Sequence, residues 1–193
     1  MRVLIVDRKK IGVIFVVMGL MVVLFSVGIK LDNRIRTTAF IQNNLGALKE
    51  YYAKEHKITY KLPAKWTTTQ QSFTGGEILY HNNFTSQDGS IHGYVQIWNL
   101  QNDLKSFLQN SKTTSEIQNE SDDFKISDVD INGNKGYLVT YTTKGVNKDY
   151  NAFEYFVNYN NVFTRFAFYV ESDKINSSIP AVFKAIVETT KYE

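Results

Sequence analysis

The side chains best suited to chemistry are two histidines on either side of a short polar stretch. His81 and His92 flank the sequence SQDGS, in which Asp88-Gly89 predicts a turn between two strands. In a hairpin with a two- or four-residue loop, both imidazoles lie on the same face of the sheet. Imidazole is a common zinc ligand, but zinc needs further ligands, and only Asp88 and His56 are candidates. The alternative is that each histidine is a hydrogen-bonded or solvated strand residue.

A second candidate metal site is the acidic segment DVDING. Asp128, Asp130, Asn132 and Gly133 match the first half of a calcium-binding loop. Such a loop requires a bidentate carboxylate at its twelfth position, which is Val139 here, within an apolar segment. The alternative is that Asp128 and Asp130 face solvent from a strand that enters an Asn-Gly turn. Both aspartates are kept as metal candidates beside this strand interpretation.

Known catalytic and cofactor-binding motifs are otherwise missing from the sequence. It contains no G-x-S-x-G, no H-E-x-x-H, no phosphate-binding glycine loop and no cysteine nucleophile. The sequence therefore predicts no cofactor and a protein without catalytic activity. The alternative is an exported metal-dependent hydrolase that uses His81 and His92.

Aromatic residues are the third feature that bears on function. The chain has 13 Phe, 12 Tyr and two Trp, more than one buried sheet face needs, so some of these rings must face outward. Tyr and Trp are the usual anchors of binding interfaces. Trp98, Tyr94 and Tyr80 are candidates for a surface that binds a protein, a peptide or a glycan. The alternative is that helices cover both faces of the sheet and bury these rings.

An uncharged stretch near the N-terminus determines where these side chains act. Residues 11–29 carry no charge, and a helix of that length is about 28 Å long, close to the roughly 30 Å hydrocarbon core of a bilayer. The sequence predicts a single membrane span here. Basic residues precede it, so residues 1–10 are expected in the cytoplasm and the C-terminal part outside it. The alternative is a cleaved signal peptide comprising residues 1–28.

Charge and cysteine content limit the possible partners. The net charge of +3 comes from the N-terminal region, because residues 1–30 hold five of the 22 basic and one of the 19 acidic residues. The remaining 17 basic and 18 acidic residues give a nearly neutral domain, which excludes the basic footprint of nucleic-acid binding. An exported domain without cysteine must be stabilised by its core alone.

The pattern of apolar residues predicts two regions after the span. Residues 30–56 are expected to form a juxtamembrane helix or stalk, with helical spacing over residues 37–56. Residues 57–193 are expected to form an extracytoplasmic α+β domain, an antiparallel sheet of about seven strands flanked by helices. Residues 66–74 read as a loop, and a bulge is expected between Ile126 and Val129. Helices are expected after Asn102 or Asp103 and over residues 173–191.

Several segments resemble the PsbP-like family. They are ITYKLPAKW, GGEILYHNNF, GYVQIW and the final meander with FTRFAFYVES and a closing helix. The family is typified by extrinsic lumenal proteins of the oxygen-evolving photosystem, and a nuclear transport factor shares its fold. The resemblance covers about residues 57–191. It implies an antiparallel sheet between helices, an α/β/α sandwich, with extracytoplasmic binding or assembly work, and it implies no site residue.

These observations together predict a membrane-tethered extracytoplasmic binding or assembly module. Its partners are expected to be the lipid bilayer, through residues 11–29, and a protein, peptide or glycan outside the cytoplasm. A third possibility is a structural stalk for a larger membrane complex.

Overall fold

The structure, a computed structural model, describes residue 18 and residues 47–53, 57–99, 103–118, 121–145, 147–159 and 162–193. The chain divides into two compact units, residues 1–44 and 45–193, and the description below concerns the second. The predicted span at residues 11–29 lies outside the described residues apart from Met18, as do the predicted cytoplasmic residues 1–10. Within the described part of the chain, no helix is long and apolar enough to cross a bilayer.

The second unit consists of ten strands, two α-helices and one 3₁₀-helix among its described residues. In chain order they are β1 (Leu48–Ala53), β2 (Ile58–Pro63), β3 (Thr67–Gln71), β4 (Ile78–Thr85), β5 (Ile91–Asn99), α1 (Leu104–Gln118), β6 (Ser121–Ile131), β7 (Asn134–Lys144), β8 (Asp149–Tyr159), β9 (Val162–Glu171), the 3₁₀-helix (Ser172–Lys174), α2 (Ile179–Val187) and β10 (Lys191–Tyr192).

The strands form two antiparallel sheets. The large sheet has seven strands in the order β3-β4-β5-β9-β8-β7-β6, and the small sheet has three in the order β1-β2-β10. Within each sheet, consecutive strands joined by short turns pair with each other, while the chain passes from the small to the large sheet between β2 and β3. The helix α1 separates β5 from β6 and so allows β6 to begin at the edge opposite β3. The predicted α+β class and antiparallel sheet are confirmed.

Local turn chemistry fixes the register of the two predicted hairpins. Asn132 and Gly133 both have positive φ, 55° and 85°, which a two-residue turn of the favoured hairpin type requires. In the other hairpin, Ser86 donates its N–H to the carbonyl of Ile91 at 2.7 Å. Inside that loop the Asp88 carboxylate accepts the Ser86 hydroxyl at 2.6 Å, and this bond, with others from Ser90, lowers the pKa of Asp88.

Helices lie against both faces of the large sheet. We define the front face as the one that carries Tyr94, Glu154 and Arg165. Leu104 and Leu108 of α1 pack on this face, in a cluster with Val139, Phe156 and Phe163.

The opposite, back face is covered by α2 and the small sheet. Phe183 of α2 stacks on Phe168 with ring centroids 4.3 Å apart, and Tyr60 of β2 meets Phe166 edge-on at 5.7 Å. The predicted sandwich of a sheet between helices therefore describes this unit.

The prediction of a helix over residues 37–56 is wrong over residues 48–53, and residues 37–46 and 54–56 lie outside the described residues. Leu48–Ala53 is a strand that pairs antiparallel with β2, and Tyr51 stacks on Tyr60 at 5.5 Å. Cross-strand pairing with a buried neighbour outweighs the weak helical preference of this segment. The compact unit consequently begins near residue 45 rather than at residue 57.

Two further expectations are corrected at the edges of the large sheet. Residues 67–71, within the predicted loop, form the edge strand β3. Its threonines suit a strand, but it shows no apolar alternation because its side chains are mostly exposed.

The predicted bulge lies earlier in β6 than expected, between Asp122 and Lys125, where Asp123 has a φ of 56°. From Lys125 onward β6 is regular. Phe124 and Ile126 pack into the α1 cluster, whereas Ile131, an odd number of residues away, is buried on the other face.

The second and third helices of the expectation are confirmed with shifted ends. The Asp103 carboxylate caps α1 by accepting the backbone N–H of Ser106 at 3.0 Å. The closing helix is shorter than residues 173–191, because Pro180 lies in its first turn and β10 follows it.

Candidate functional site

The two histidines predicted as metal ligands lie on the front face but far apart. His81 pairs with Gln96 and His92 pairs with Thr85, so the two imidazoles share a face, four residues apart along the hairpin. Four residues of strand correspond to about 13 Å, too far for one metal ion.

The ring of His81 has both of its nitrogens engaged. Nδ1 accepts from the side-chain amide of Gln96 at 2.8 Å, and Nε2 donates to Oδ1 of Asn83 at 2.8 Å. Within the described residues, no three His, Asp or Glu side chains are close enough to hold a metal ion together. The zinc site stays a prediction to which this geometry adds no support.

The two candidate aspartates lie in a different part of the sheet. Asp128 and Asp130 are two residues apart in edge strand β6 and therefore share a face. Oδ1 of Asp130 accepts the N–H of Gly133 at 2.8 Å, so this carboxylate stabilises the hairpin turn. Val139, the residue at the twelfth position, is buried in the core beneath α1. The arrangement corresponds to the strand interpretation of DVDING.

The three aromatic residues predicted as a binding surface occupy three separate places. Tyr80 is on the back face, where its hydroxyl bonds that of Tyr60 at 2.8 Å. Tyr94 is on the front face, stacked on His81 at 5.3 Å. Trp98 is also on the front face, but it stacks on Phe163 at 5.8 Å at the α1 end of the sheet. No single surface presents all three rings.

A cleft lies between α1 and the front face, with a volume of about 260 Å³. We call it the α1 cleft. It lies over the half of the sheet that consists of strands β6 to β9. Its lining consists of Phe107, Leu108, Ser111 and Ser115 from α1, Val139, Tyr141, Glu154, Phe156 and Arg165 from the sheet floor, and Ser121, Phe124 and Thr143 at the rim.

The floor of the α1 cleft is organised around one buried carboxylate. Glu154, in the centre of β8, is only 3% exposed. Its Oε2 accepts two bonds from Arg165 of β9, from Nε at 3.0 Å and from Nη2 at 2.7 Å. Its Oε1 accepts the hydroxyls of Tyr141 at 2.8 Å and Tyr169 at 2.9 Å. A buried charge requires such compensation, and here each carboxylate oxygen of Glu154 accepts two hydrogen bonds.

The register of the sheet explains why these side chains converge. Glu154 pairs with Ala167, and Ala152 lies between Tyr141 and Tyr169 in the next row of the same face. The two alanines leave room for the long side chains around them. The guanidinium of Arg165 lies 5.1 Å from the centre of the Tyr94 ring and 5.3 Å from that of Phe156, so aromatic rings flank it.

Electrostatics fix the protonation states of the two tyrosines and of the arginine near neutral pH. Burial, and then the Glu154 carboxylate, raise the pKa of both Tyr141 and Tyr169 well above the ordinary tyrosine value. Burial opposes the charge of Arg165, but Glu154 outweighs it and the pKa of Arg165 is raised. The tyrosines therefore stay neutral donors, and the arginine stays charged.

The walls of the cleft combine aromatic faces with hydroxyl groups. Phe124 stacks on Tyr141 at 5.4 Å with nearly parallel planes. Across from this pair, Ser111 donates to a carbonyl of its own helix at 3.0 Å, and the hydroxyls of Ser115 and Ser121 bond each other across the rim. The walls are therefore apolar and hydroxylic, and the charges lie only in the compensated floor.

Sequence reasoning missed the floor residues, although a signal was present. Glu154 is the only charged residue within NAFEYFVNY, and Arg165 is the only one within VFTRFAFY. An isolated acid in one apolar strand and an isolated base in the next are candidates for a buried ion pair, because lone charges are rarely buried unpaired. Tyr141 and Tyr169 carried no comparable signal, since tyrosine is common throughout the strands.

Comparison with known proteins identifies the fold. No protein-family model matches the chain, and no curated protein matches it in sequence. The structure is similar to the solution structure of cyanobacterial PsbP (CyanoP) from Synechocystis sp. PCC 6803, with a TM-score of 0.56 and 12% identity over 76% of this chain and 93% of that chain. LpqN of Mycobacterium tuberculosis, which is involved in cell envelope biogenesis, gives a TM-score of 0.48 and 13% identity over 79% of this chain and 94% of its own. The similarity to CyanoP shows that the described domain has a PsbP-like fold, as the residues from Lys57 to Lys191 predict.

Proposed function

We propose that this domain is a binding module and that its ligand occupies the α1 cleft. The observation that carries the proposal is the preformed, electrically compensated floor around Glu154. Binding sites are typically concave and mostly apolar, with a few fixed polar groups. The α1 cleft has these properties, and its polar groups are held in place by one another before any ligand enters.

The chemistry of the lining favours a small, uncharged ligand that carries hydroxyl groups and one apolar face, such as a sugar ring. A charged ligand would lose its hydration and find the floor charges already paired. Hydroxyls of the ligand, in contrast, can exchange bonds with Ser115 and Ser121, while its apolar face packs on Phe124. The volume of about 260 Å³ is slightly below the roughly 300–1,000 Å³ typical of sites for drug-sized ligands.

The same floor disfavours acid–base catalysis. A general acid or base is most effective with a pKa near the working pH and a free proton or lone pair directed at the substrate. Tyr141, Tyr169 and Arg165 have their pKa values moved away from neutrality, and the oxygens of Glu154 are occupied. The proposed role is therefore binding or assembly.

The proposed location follows from the sequence. Residues 11–29 anchor the chain in the cell membrane, with the N-terminus in the cytoplasm and the domain outside. Protease added to intact spheroplasts should degrade the domain and leave a cytoplasmic control protein untouched. Complete protection of the domain until the spheroplasts are lysed would contradict this location.

The cleft itself is tested by filling it. In Ser115→Trp an indole occupies the rim of the α1 cleft, whereas Asn110→Trp places the same ring on the exposed side of the same helix. We expect native mass spectrometry of the intact chain from its own cells to show a small bound molecule on the wild type and on Asn110→Trp, but not on Ser115→Trp. If the wild type and both variants carried the same amount of the bound molecule and had equal melting temperatures, the ligand would bind outside the α1 cleft.

A further inference from the structure

The two edges of the large sheet differ in how they are protected. β6, at one edge, carries five charged residues and a bulge, devices that keep other strands from pairing with an open edge. β3, at the other edge, has the sequence TTTQQ, without charge, proline or bulge. No strand among the described residues pairs with its outer side. We call the β6 edge, which is protected from pairing with other strands, the defended edge, and the unprotected β3 edge the open edge.

The backbone of β3 directs unpaired groups outward at two positions. Ser86, directly after β4, donates its N–H to the carbonyl of Ile91 in β5. Because the direction of the backbone hydrogen bonds alternates along a strand, even-numbered residues of β4 bond to β5, and odd-numbered residues, such as Asn83, bond to β3. Asn83 pairs with Thr69, so Thr69 bonds inward. Thr68 and Gln70, on either side of it, therefore present their N–H and C=O groups at the open edge.

We infer that β3 is a self-association edge, at which two copies of this chain pair their β3 strands antiparallel about a two-fold axis through Thr69. In this register Thr68 of one copy lies opposite Gln70 of the other, and the same pair repeats across the axis. The two pairs form four backbone hydrogen bonds and join two seven-stranded sheets into one continuous sheet. This inference does not depend on what the α1 cleft binds.

Charge and shape favour a second copy over another partner. Identical strands can pair only if like charges do not meet, and β3 has none. Beyond the strand, the same register sets Lys65 of one copy opposite Phe73 of the other. Phe73 is 47% exposed, unusual for a phenylalanine, and its ring can receive the ammonium group of Lys65. The pairing covers only a short strand, so a weak, reversible dimer is expected.

The register can be tested by cross-linking, because the chain contains no cysteine. Thr69 forms a non-hydrogen-bonded pair with its own copy, and such pairs have Cα atoms about 4.5 Å apart, within the range for a disulfide. Mild oxidation of full-length Thr69→Cys should therefore give a dimer of twice the chain's mass, several-fold more than Ser127→Cys, an exposed position in the defended edge. The exposed side chain of Thr69 makes this substitution tolerable.

A mixture of two further variants tests the axis. Thr67→Cys and Gln71→Cys should not cross-link when alone, because each is about 14 Å from its own copy, but they should cross-link when mixed. Equal dimer yields from Thr69→Cys and Ser127→Cys would overturn the inference, as would cross-linking of Thr69→Cys to a protein of another mass. An unchanged melting temperature would show that Thr69→Cys is correctly folded. If this folded variant stayed monomeric after oxidation, the inference would also be overturned.

Discussion

At the scale of single residues, His92 of the front face makes the stability of the domain depend on pH. Its ring stacks on Tyr169 at 5.3 Å and meets Tyr150 edge-on at 5.1 Å. Burial lowers the pKa of His92, and the carboxylate of Glu171 opposes this shift only in part. The unfolded chain, with an ordinary histidine pKa of about 6.5, therefore binds a proton more readily than the folded chain.

The stability of the wild type should consequently fall as the pH drops below about 6.5. His92→Phe keeps the ring contacts and removes the titration, so its melting temperature should fall less between about pH 7 and about pH 5. Tyr150→Phe retains His92 and serves as the control, with the steeper wild-type dependence. Thermal unfolding followed by circular dichroism measures all three, and parallel curves would contradict this role of His92.

Residue types alone predicted the hairpin turns better than they predicted the residues of the α1 cleft. Asn132-Gly133 and Asp88-Gly89 specify their hairpins because short-range backbone conformation decides them. Glu154 and Arg165 meet only because β8 and β9 pair in one particular register, which residue composition does not determine. Of the predicted metal ligands, the two histidines lie four residues apart along their hairpin, and the two aspartates lie in a different strand, β6.

At the scale of elements, the strands with clear alternation and turn signals were predictable, whereas β1 and β3 were not. β4, β5 and β7 to β9 belong to the antiparallel sheet expected for residues 57–193, since their apolar patterns reflect burial on at least one face. β1 and β3 escaped prediction because neither shows the alternation of a half-buried strand. β1 is defined by its pairing with β2, a contact between segments rather than a property of either one.

The helix α1 illustrates the same limit. Its start was predictable from Asp103 and from Leu104, Phe107 and Leu108, which form the contact with the sheet. Its continuation through the polar residues to Gln118 was not, because serines and threonines favour helices weakly. Those polar turns bring Ser111 and Ser115 over the sheet and so create the α1 cleft. The part of the helix that sequence patterns describe least well thus forms the candidate site.

At the scale of the whole domain, the large sheet separates stability from proposed function. The back face is packed with α2 and the small sheet, and its rings, such as Phe168 and Phe183, are completely buried. The front face holds the compensated floor and the α1 cleft, while the two edges hold one defended and one open strand. The proposed ligand site and the proposed self-association edge therefore occupy different parts of the large sheet.

The central claim is that the α1 cleft binds a ligand on a floor whose tyrosines stay neutral and whose arginine stays charged. The most direct test is the affinity of the compound that co-purifies with the intact chain, measured by calorimetry from about pH 6 to about pH 9, between the ordinary ranges of carboxylates and tyrosines. Because Tyr141 and Tyr169 have raised pKa values and Arg165 stays charged, the affinity should be constant over this range. An affinity that follows a single ionisation within the range, and loses that dependence in Glu154→Gln, would contradict the account and indicate a floor built for proton transfer.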